Sequence, residues 1–199
     1  RHERVLGGER PRRAQHASRA RSGALGVPTQ RPQGVGVKPR LNMVEQLQRF
    51  GLKLFVDSAA VVSPHACVPV FHRWIQTGAV DGLLIDVADY THLTDGPRVL
   101  LVAHEGNYGI DDAGGRPGFV YTRKQPLDGS FADRLRAVCR MLFGAARLLE
   151  TETTFDAPVR FRSSEIELIA NDRLLAPNTD EAALTLETAL LAFATTLFD

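Results

Sequence analysis

The sequence has little cysteine, one tryptophan and no long apolar run. Its two cysteines, Cys67 and Cys139, lie far apart and form no CxxC pair, which argues against a disulfide scaffold and fits a reducing compartment. No apolar run approaches the ~20 residues that a bilayer-spanning helix needs, and the N-terminus has no apolar signal-peptide core. These absences predict a cytoplasmic protein without a membrane segment.

Recognisable catalytic and phosphate-binding motifs are also missing. The chain contains no GxSxG, no GxxxxGK[ST] and no HExxH, the motifs of esterases, P-loop proteins and zinc peptidases. The glycine-rich run 112–118 joins two predicted strands. A phosphate-binding loop needs a helix N-terminus behind it, so we interpret this run as a hairpin turn. Whether the chain is an enzyme stays open.

The formal net charge of +1 hides two segments of opposite sign. Residues 1–42 contain nine arginines, one lysine and two glutamates, a net +8, whereas the remainder has fourteen basic and twenty-one acidic residues, a net −7. The first segment has no Phe, Tyr, Trp or Ile and therefore too little apolar surface to offset the entropy of ordering. We predict a disordered basic extension over 1–42 and a single domain over 43–199.

Four other interpretations of residues 1–42 remain. The segment could be an expression remnant or the result of a start site placed before Met43, the first methionine. It could also be a basic arm for nucleic acid or an organellar transit segment. Because the body after Met43 is acidic and shows no basic patch, nucleic-acid binding is expected only through residues 1–42.

Hydrophobic patterning in the body predicts alternating helices and strands. A short helix is predicted over 42–50, with Asn42 as its N-cap, followed by a strand over 52–57. Pro69 is expected in the first turn of the next helix. The runs 83–90, 99–104 and 119–122 are typical of strands and are separated by turn residues, so they predict a three-strand antiparallel meander.

The C-terminal half predicts two long helices around two short strands. Ser130 and Asp133 form a capping-box pattern before an amphipathic helix. Strands are expected over 159–161 and 166–170, and the last helix begins at Asn178 or Thr179. The fold class is therefore α+β: a mainly antiparallel sheet covered by two long helices and a short one.

The last helix, over 179–198, is apolar on more than one side. One stripe consists of Ala183, Leu186, Leu190, Phe193 and Leu197. A second consists of Leu184, Leu191 and Phe198. A terminal helix of this kind is either deeply buried or covered by a partner, and we predict a homo-oligomer through it.

Polar residues that could carry chemistry concentrate around the first predicted hairpin. The catalytic candidates are His104, Glu105 and Asp86. Carboxylate and imidazole are common metal ligands, so a divalent metal such as zinc could bind at Asp86, Asp89, His92 and His104. The alternative is a purely structural role, in which these residues are hydrogen-bonded strand carboxylates and structural histidines and no cofactor binds.

A second cluster has the pattern H-x-C-x4-H, formed by His65, Cys67 and His72. A catalytic Cys–His pair is conceivable here, since a helix N-terminus lowers a thiol pKa. Zinc sites usually need four ligands, and no second Cys/His pair stands at the expected spacing. We favour a small buried cysteine flanked by surface histidines.

Three runs carry a resemblance to known sequences: 83–90, 102–108 and 171–179 (LLIDVADY, VAHEGNY and NDRLLAPNT). Through them, the body from about Met43 onward resembles a bacterial conserved-hypothetical family to which no function is attached. The resemblance therefore implies no activity, cofactor or site residue.

The leading functional hypothesis is a non-enzymatic cytosolic binding module that self-associates and acts through protein–protein or small-ligand contacts. It follows from the doubly apolar last helix and from the lack of a converging catalytic set. The alternative is a small metal-dependent, hydrolase-like enzyme that uses the acids and histidines of the 83–108 hairpin.

Overall fold

The computed structural model describes residues 40–57, 62–93 and 96–198. Over this part of the chain it has six strands: β1 (Phe50–Val56), β2 (Leu84–Asp89), β3 (Pro97–Ala103), β4 (Gly106–Asp111), β5 (Gly118–Arg123) and β6 (Phe161–Ala170). The α-helices are α1 (Arg40–Gln46), α2 (Pro64–Thr77), α3 (Phe131–Glu150) and α4 (Asp180–Phe198), and a 3-10 turn spans Ala113–Gly115. These residues belong to one compact unit, Val37–Asp199.

The six strands form one sheet in the order β2-β3-β4-β5-β1-β6. Every neighbouring pair is antiparallel. β2 to β5 follow one another as a meander, and β1 lies between β5 and β6. The sheet with helices packed on it confirms the predicted α+β class.

The helices α2 and α3 cover the same face of the sheet. α2 packs on β2 and β3, and α3 packs on β5 and β1. Along β3, Val99, Leu101 and Ala103 are buried, whereas Leu100 and Val102 remain partly exposed. Since successive strand residues point to opposite faces, Leu100 and Val102 mark the face away from α2 and α3. We call it the open face, because no described helix packs over its centre.

The predicted capping box of the long helix α3 is confirmed. The Ser130 hydroxyl accepts a hydrogen bond from the Asp133 backbone N–H at 3.2 Å, and Asp133 Oδ2 accepts one from the Ser130 N–H at 3.1 Å. The helix buries Leu135, Val138 and Leu142 against the sheet. A local pattern therefore sets where α3 begins, and its apolar stripe sets where it packs.

The meander has four strands, so the predicted three-strand version was incomplete. The missing strand is β4, which pairs with both β3 and β5. Its sequence contains Gly106 and Gly109, residues that are depleted in strands, and this composition concealed it. At Gly109 a Cβ would lie 2.5 Å from Leu100 Cδ2, so glycine makes room for the neighbouring side chain on the open face.

Three predicted helix boundaries were wrong. α1 ends at Gln46, and Phe50, predicted as its last residue, opens β1 by pairing with Ala170. Asn42 lies inside α1 and does not cap it. α2 begins at Pro64, five residues before Pro69, after the N-cap Ser63. The Ser63–Pro64 signal is a stronger helix start than an isolated proline.

The strand predicted over 166–170 is part of a longer strand, β6, whose pairing with β1 is irregular between Leu54 and Val56. Of the strand predicted over 159–161, only Phe161 belongs to β6. Residues 1–39, most of the predicted basic extension, lie outside the described residues. α1 begins at Arg40, three residues before the predicted domain boundary. Within the described part of the chain, no helix combines the length and apolarity needed to span a membrane.

Candidate binding surfaces

The four predicted metal ligands do not lie together on the first hairpin: Asp89 and His92 lie at one end of it and His104 at the other. Asp86 is exposed on β2 and pairs with Val102, which places it on the open face. Asp89 Oδ1 accepts a hydrogen bond from the Thr91 N–H at 2.8 Å, and this bond is the main cause of its lowered pKa. His92 is exposed, with its ring 6.5 Å from that of Tyr90. Asp89 and His92 therefore shape the turn after β2.

His104 and Glu105 form the turn between β3 and β4 at the opposite end of the hairpin. The exposed His104 donates its backbone N–H to the Leu83 carbonyl. Glu105 Oε2 accepts a bond from the Leu83 N–H at 2.9 Å, which is the main cause of the lowered pKa of Glu105. Asp89 pairs with Val99, five residues before His104, a separation of roughly 16 Å along the strand.

This spread bears directly on the metal hypothesis. Ligands of one zinc ion lie about 2 Å from it, so Asp89 and His104 cannot share an ion across the length of a strand. Among the described residues, no group of three or more His, Cys, Asp or Glu side chains is placed to hold a metal ion. The candidates for catalysis all lie toward the His104 end of the hairpin: Asp86 pairs with Val102, two residues before His104, and Glu105 accepts the Leu83 N–H. Their catalytic role stays a prediction.

Cys67 is fully buried inside α2. Burial raises its pKa to about 12, so almost none of the thiol is ionised at neutral pH. His65 and His72, its partners in the sequence pattern, are both exposed. A reactive cysteine needs an accessible thiolate, and Cys67 has neither property; it packs as a small apolar residue in the core.

The last helix is buried on one side and uncovered on another. Phe193 is buried, and Leu186 and Leu190 are partly buried. Leu184 is 63% exposed and Leu191 is 61% exposed, one heptad apart on the same side of α4. Beside them lies an apolar groove of about 540 Å³ between α1, the start of α3 and α4, lined by Val44, Phe131, Ala189, Ala192 and Phe193 among others.

A buried ion pair stands on the open face. Lys53 Nζ lies 3.2 Å from Asp111 Oδ2, although β5 separates their strands. Lys53 is 1% exposed and Asp111 is 9% exposed. Gly118, between them on β5, has no side chain, and a Cβ there would lie 2.7 Å from Lys53 Cε. The lysine stem therefore crosses the sheet over a glycine, and the pair neutralises both charges.

A second polar cluster lies next to this pair. The Arg116 guanidinium stacks 3.8 Å from the centre of the Phe55 ring. Arg116 also forms an ion pair with Glu165 on β6, which is approached by Arg162 as well. These contacts cover Phe55, which is buried although it points to the open face. This part of the face is thus filled by its own side chains.

The rest of the open face forms a groove of about 680 Å³, a size typical of ligand-binding clefts. Its apolar lining comes from Leu100, Val120 and Ile169, and its polar lining includes Asn107 and Thr122. These residues come from β3, β4, β5 and β6, so the groove crosses the strands. We call it the sheet groove.

One end of the sheet groove is cationic. It is lined by Arg49, before β1, and by Arg123 and Lys124, at the end of β5. Arg123 donates hydrogen bonds to the Gln125 carbonyl and the Tyr121 hydroxyl. Arg49 and Lys124 have no ion-pair partner within the described residues. Since Lys53 neutralises Asp111, the one acid of the lining, the groove carries net positive charge in an acidic body.

Asn107 lines the groove beside Thr122, its partner on β5. Its side-chain oxygen has almost no accessible surface and accepts no hydrogen bond in the part of the chain described. A ligand therefore meets the rest of this half-buried amide and not that oxygen.

Sequence reasoning missed the residues of the sheet groove. Arg49, Asn107 and Lys124 are separated in the sequence and match no motif. They meet because β1, β4 and β5 are neighbours in the sheet. A correct prediction of strand β4 would have placed Asn107 beside Thr122 on β5.

Comparisons with family models, with curated proteins and with solved structures give no match for this chain. They are consistent with the resemblance described above, which carries no function, and they add no activity to it.

Proposed function

We propose that this chain is a non-enzymatic binding module that self-associates and receives its ligand or partner on the open face of the sheet. The observation that carries the proposal is the sheet groove, a cleft of about 680 Å³ on the sheet face away from α2 and α3. Its lining combines apolar side chains with a few polar groups, the composition that binding sites use for affinity and orientation.

The distribution of reactive groups supports binding over catalysis. Asp89 and His92 lie at the opposite end of the hairpin from His104 and Glu105, and the carboxylates of Asp89 and Glu105 accept hydrogen bonds from backbone N–H groups. The Cys67 thiol is buried with a raised pKa. A catalytic site needs its acid, base or nucleophile within hydrogen-bond reach of one another, and within the described residues no hydrogen bond joins the side chains of Asp86, His104 and Glu105.

Self-association through α4 is supported by the shape of its uncovered surface. The protruding Leu184 and Leu191 lie beside the apolar groove between α1, α3 and α4. A two-fold interface brings one surface patch against its own copy. A leucine ridge next to an apolar groove on one patch suits this arrangement, because each copy can place its ridge in the groove of the other.

The binding proposal is tested by mapping where small probes contact the protein. A mixture of small amides, carboxylic acids and short peptides is titrated into the 15N-labelled protein, and backbone amide shifts are followed. We expect the largest changes on β3, β4 and β5. Asn107→Trp should fill the groove and abolish them, whereas Asn178→Trp, in the exposed loop before α4, should leave them intact.

Other outcomes would decide against the proposal. Shift changes confined to α4, or equal responses from the two tryptophan variants, would show that the sheet groove is not the binding surface. A stoichiometric metal found by elemental analysis of the purified protein would favour the alternative, a metal-dependent enzyme.

A further inference from the structure

We propose that the sheet groove binds an acidic peptide segment in extended conformation, with its carboxylates against Arg49 and Lys124. This inference rests on the proposed function and adds the chemical class of the partner. It follows from three properties of the groove: its charge, its length and its hydrogen-bonding groups.

The charge of the groove selects an anionic partner. Residues 43–199 carry fourteen basic and twenty-one acidic residues, so an anion is generally repelled by this body. The groove is a local exception, because Arg49, Arg123 and Lys124 line one end and Lys53 neutralises the Asp111 carboxylate. Glu105 is close enough to Arg123 to interact with it, which leaves Arg49 and Lys124 as the main anion-binding groups.

The length of the groove favours an extended peptide over a compact small anion. The lining reaches from Pro97 and Asp111, which pair with each other at one end of β3 and β4, to Lys124 beyond β5. The six residues of β4 span about 17 Å, the length of five or six extended residues. Leu100 and Val120 both pair with Gly109 and flank this path at the same level, so a peptide along it would pack a side chain between them while its acidic end reaches the cations.

Asn107 supplies a hydrogen-bonding reason for a peptide. The Asn107 amide and the Thr122 hydroxyl line the groove, and a peptide main chain presents a donor or an acceptor at nearly every residue. Main-chain groups of a bound peptide would form hydrogen bonds with these two side chains. The Arg49 and Lys124 side chains would meanwhile form charge-assisted hydrogen bonds with carboxylates, which are stronger than neutral ones.

The groove is less suited to single-stranded nucleic acid, the other extended anion. Proteins that bind single strands stack bases on aromatic side chains, and the lining of the sheet groove, as the structure describes it, contains no aromatic residue. Phe55, the nearby aromatic of this face, is covered by Arg116. We therefore assign the groove to a peptide.

The test is a selection from a random hexapeptide library, followed by affinity measurements on the selected peptides by fluorescence anisotropy. We expect enrichment of Asp and Glu. The variant Arg49→Glu with Lys124→Glu should bind the selected peptides at least about tenfold more weakly and should itself select basic peptides. The matched control, Arg140→Glu with Arg147→Glu on exposed positions of α3, changes the net charge equally and should bind as the unmodified protein does.

The outcomes separate this inference from the proposed function. Peptides that shift amides of the groove but show no acidic preference would overturn the acidic-peptide assignment and leave the binding surface standing. Peptides that contact other surfaces, with no loss for Asn107→Trp, would overturn both. Tighter binding of labelled oligothymidine than of any selected peptide would assign the groove to nucleic acid instead. Circular dichroism and unfolding midpoints confirm that each variant is folded.

Discussion

At the residue scale, the buried Lys53–Asp111 pair makes the sharpest prediction about stability. Lys53→Met leaves the Asp111 carboxylate buried without its partner, which should lower the free energy of unfolding by about 3–5 kcal/mol. Adding Asp111→Asn removes the stranded charge and keeps an acceptor for the Ala113 N–H. The double variant should therefore recover most of the loss in urea unfolding. Losses that simply add would show that the two side chains are not coupled.

The two cysteines should differ in their reaction with thiol reagents. Burial raises the pKa of Cys67 to about 12 and that of the half-buried Cys139 to about 11. Only the thiolate reacts, so at pH 8 both should react slowly, Cys139 first and Cys67 only as the core opens. Mass mapping of the modified peptides over time checks this order. Rapid labelling of Cys67 in the folded protein would revive the nucleophile hypothesis.

The α3 capping box should give stability a dependence on acid. Hydrogen bonds from the Ser130 hydroxyl and backbone hold the pKa of Asp133 below its ordinary value of 3.8. A carboxylate with a depressed pKa in the folded state contributes stability above its unfolded pKa, and the contribution is lost as the pH falls through the folded pKa. Asp133→Asn should therefore reduce stability near pH 7 and flatten its fall below about pH 4. Thermal unfolding of the unmodified protein and of the variant from pH 2 to 7 measures the stability near pH 7 and its fall in acid.

The contrast between these residues shows how far the sequence could predict them. Ser130 and Asp133 are three positions apart, so their partnership is visible as a local pattern. Lys53 and Asp111 are 58 positions apart, and their contact requires β1, β5 and β4 to be adjacent, with glycine at position 118 between them. Local hydrogen bonds follow from sequence, whereas contacts across strands follow only from the correct strand order.

At the element scale, the absence of a side chain at Gly118 allows β1 and β5 to pair closely. A Cβ at Gly118 would lie 2.5 Å from the Leu54 carbonyl oxygen, a backbone atom that cannot move aside alone. Gly118→Ala should destabilise the protein by about 1–3 kcal/mol. The control is Gly144→Ala in α3, where no atom lies within 4 Å. It should stabilise by up to about 1 kcal/mol, because alanine is the better helix former. Equal effects in urea unfolding would contradict the steric argument.

The elements that the sequence misjudged share one cause. β4 has two glycines, and β6 contains the polar run Arg162, Ser163 and Ser164, so neither resembles a strand by composition. Both form because their backbones pair with neighbours: β4 between β3 and β5, and β6 beside β1. Strand preference depends on such pairing more than on intrinsic propensity. The helices α3 and α4, whose signals are periodic and local, were predicted closely.

At the scale of the whole molecule, the hydrophobic core, the sheet groove and the exposed leucines of α4 lie on different parts of the layered fold. One sheet face makes the core together with α2 and α3, the open face carries the sheet groove, and α4 presents uncovered leucines. The sequence could predict the core and the apolar faces of α4, because both follow from apolar periodicity. The sheet groove depends on residues that the strand order brings together, and it has no sequence pattern of its own. A self-associated pair joined through α4 would carry two copies of the groove and could bind a partner with two acidic segments more tightly than one copy does.

Self-association through α4 gives the last prediction. Light scattering should show twice the monomer mass, and the melting temperature should rise with protein concentration, because association stabilises the folded state by mass action. Leu184→Glu with Leu191→Glu places two charges on the ridge and should yield a folded monomer whose melting temperature is independent of concentration. Leu174→Glu, at a position that is 100% exposed outside α4, adds a charge of the same kind and should leave the mass unchanged. A monomer in the unmodified protein, or a dimer that survives both ridge substitutions, would remove α4 as the interface and direct the search to the exposed edge strand β2.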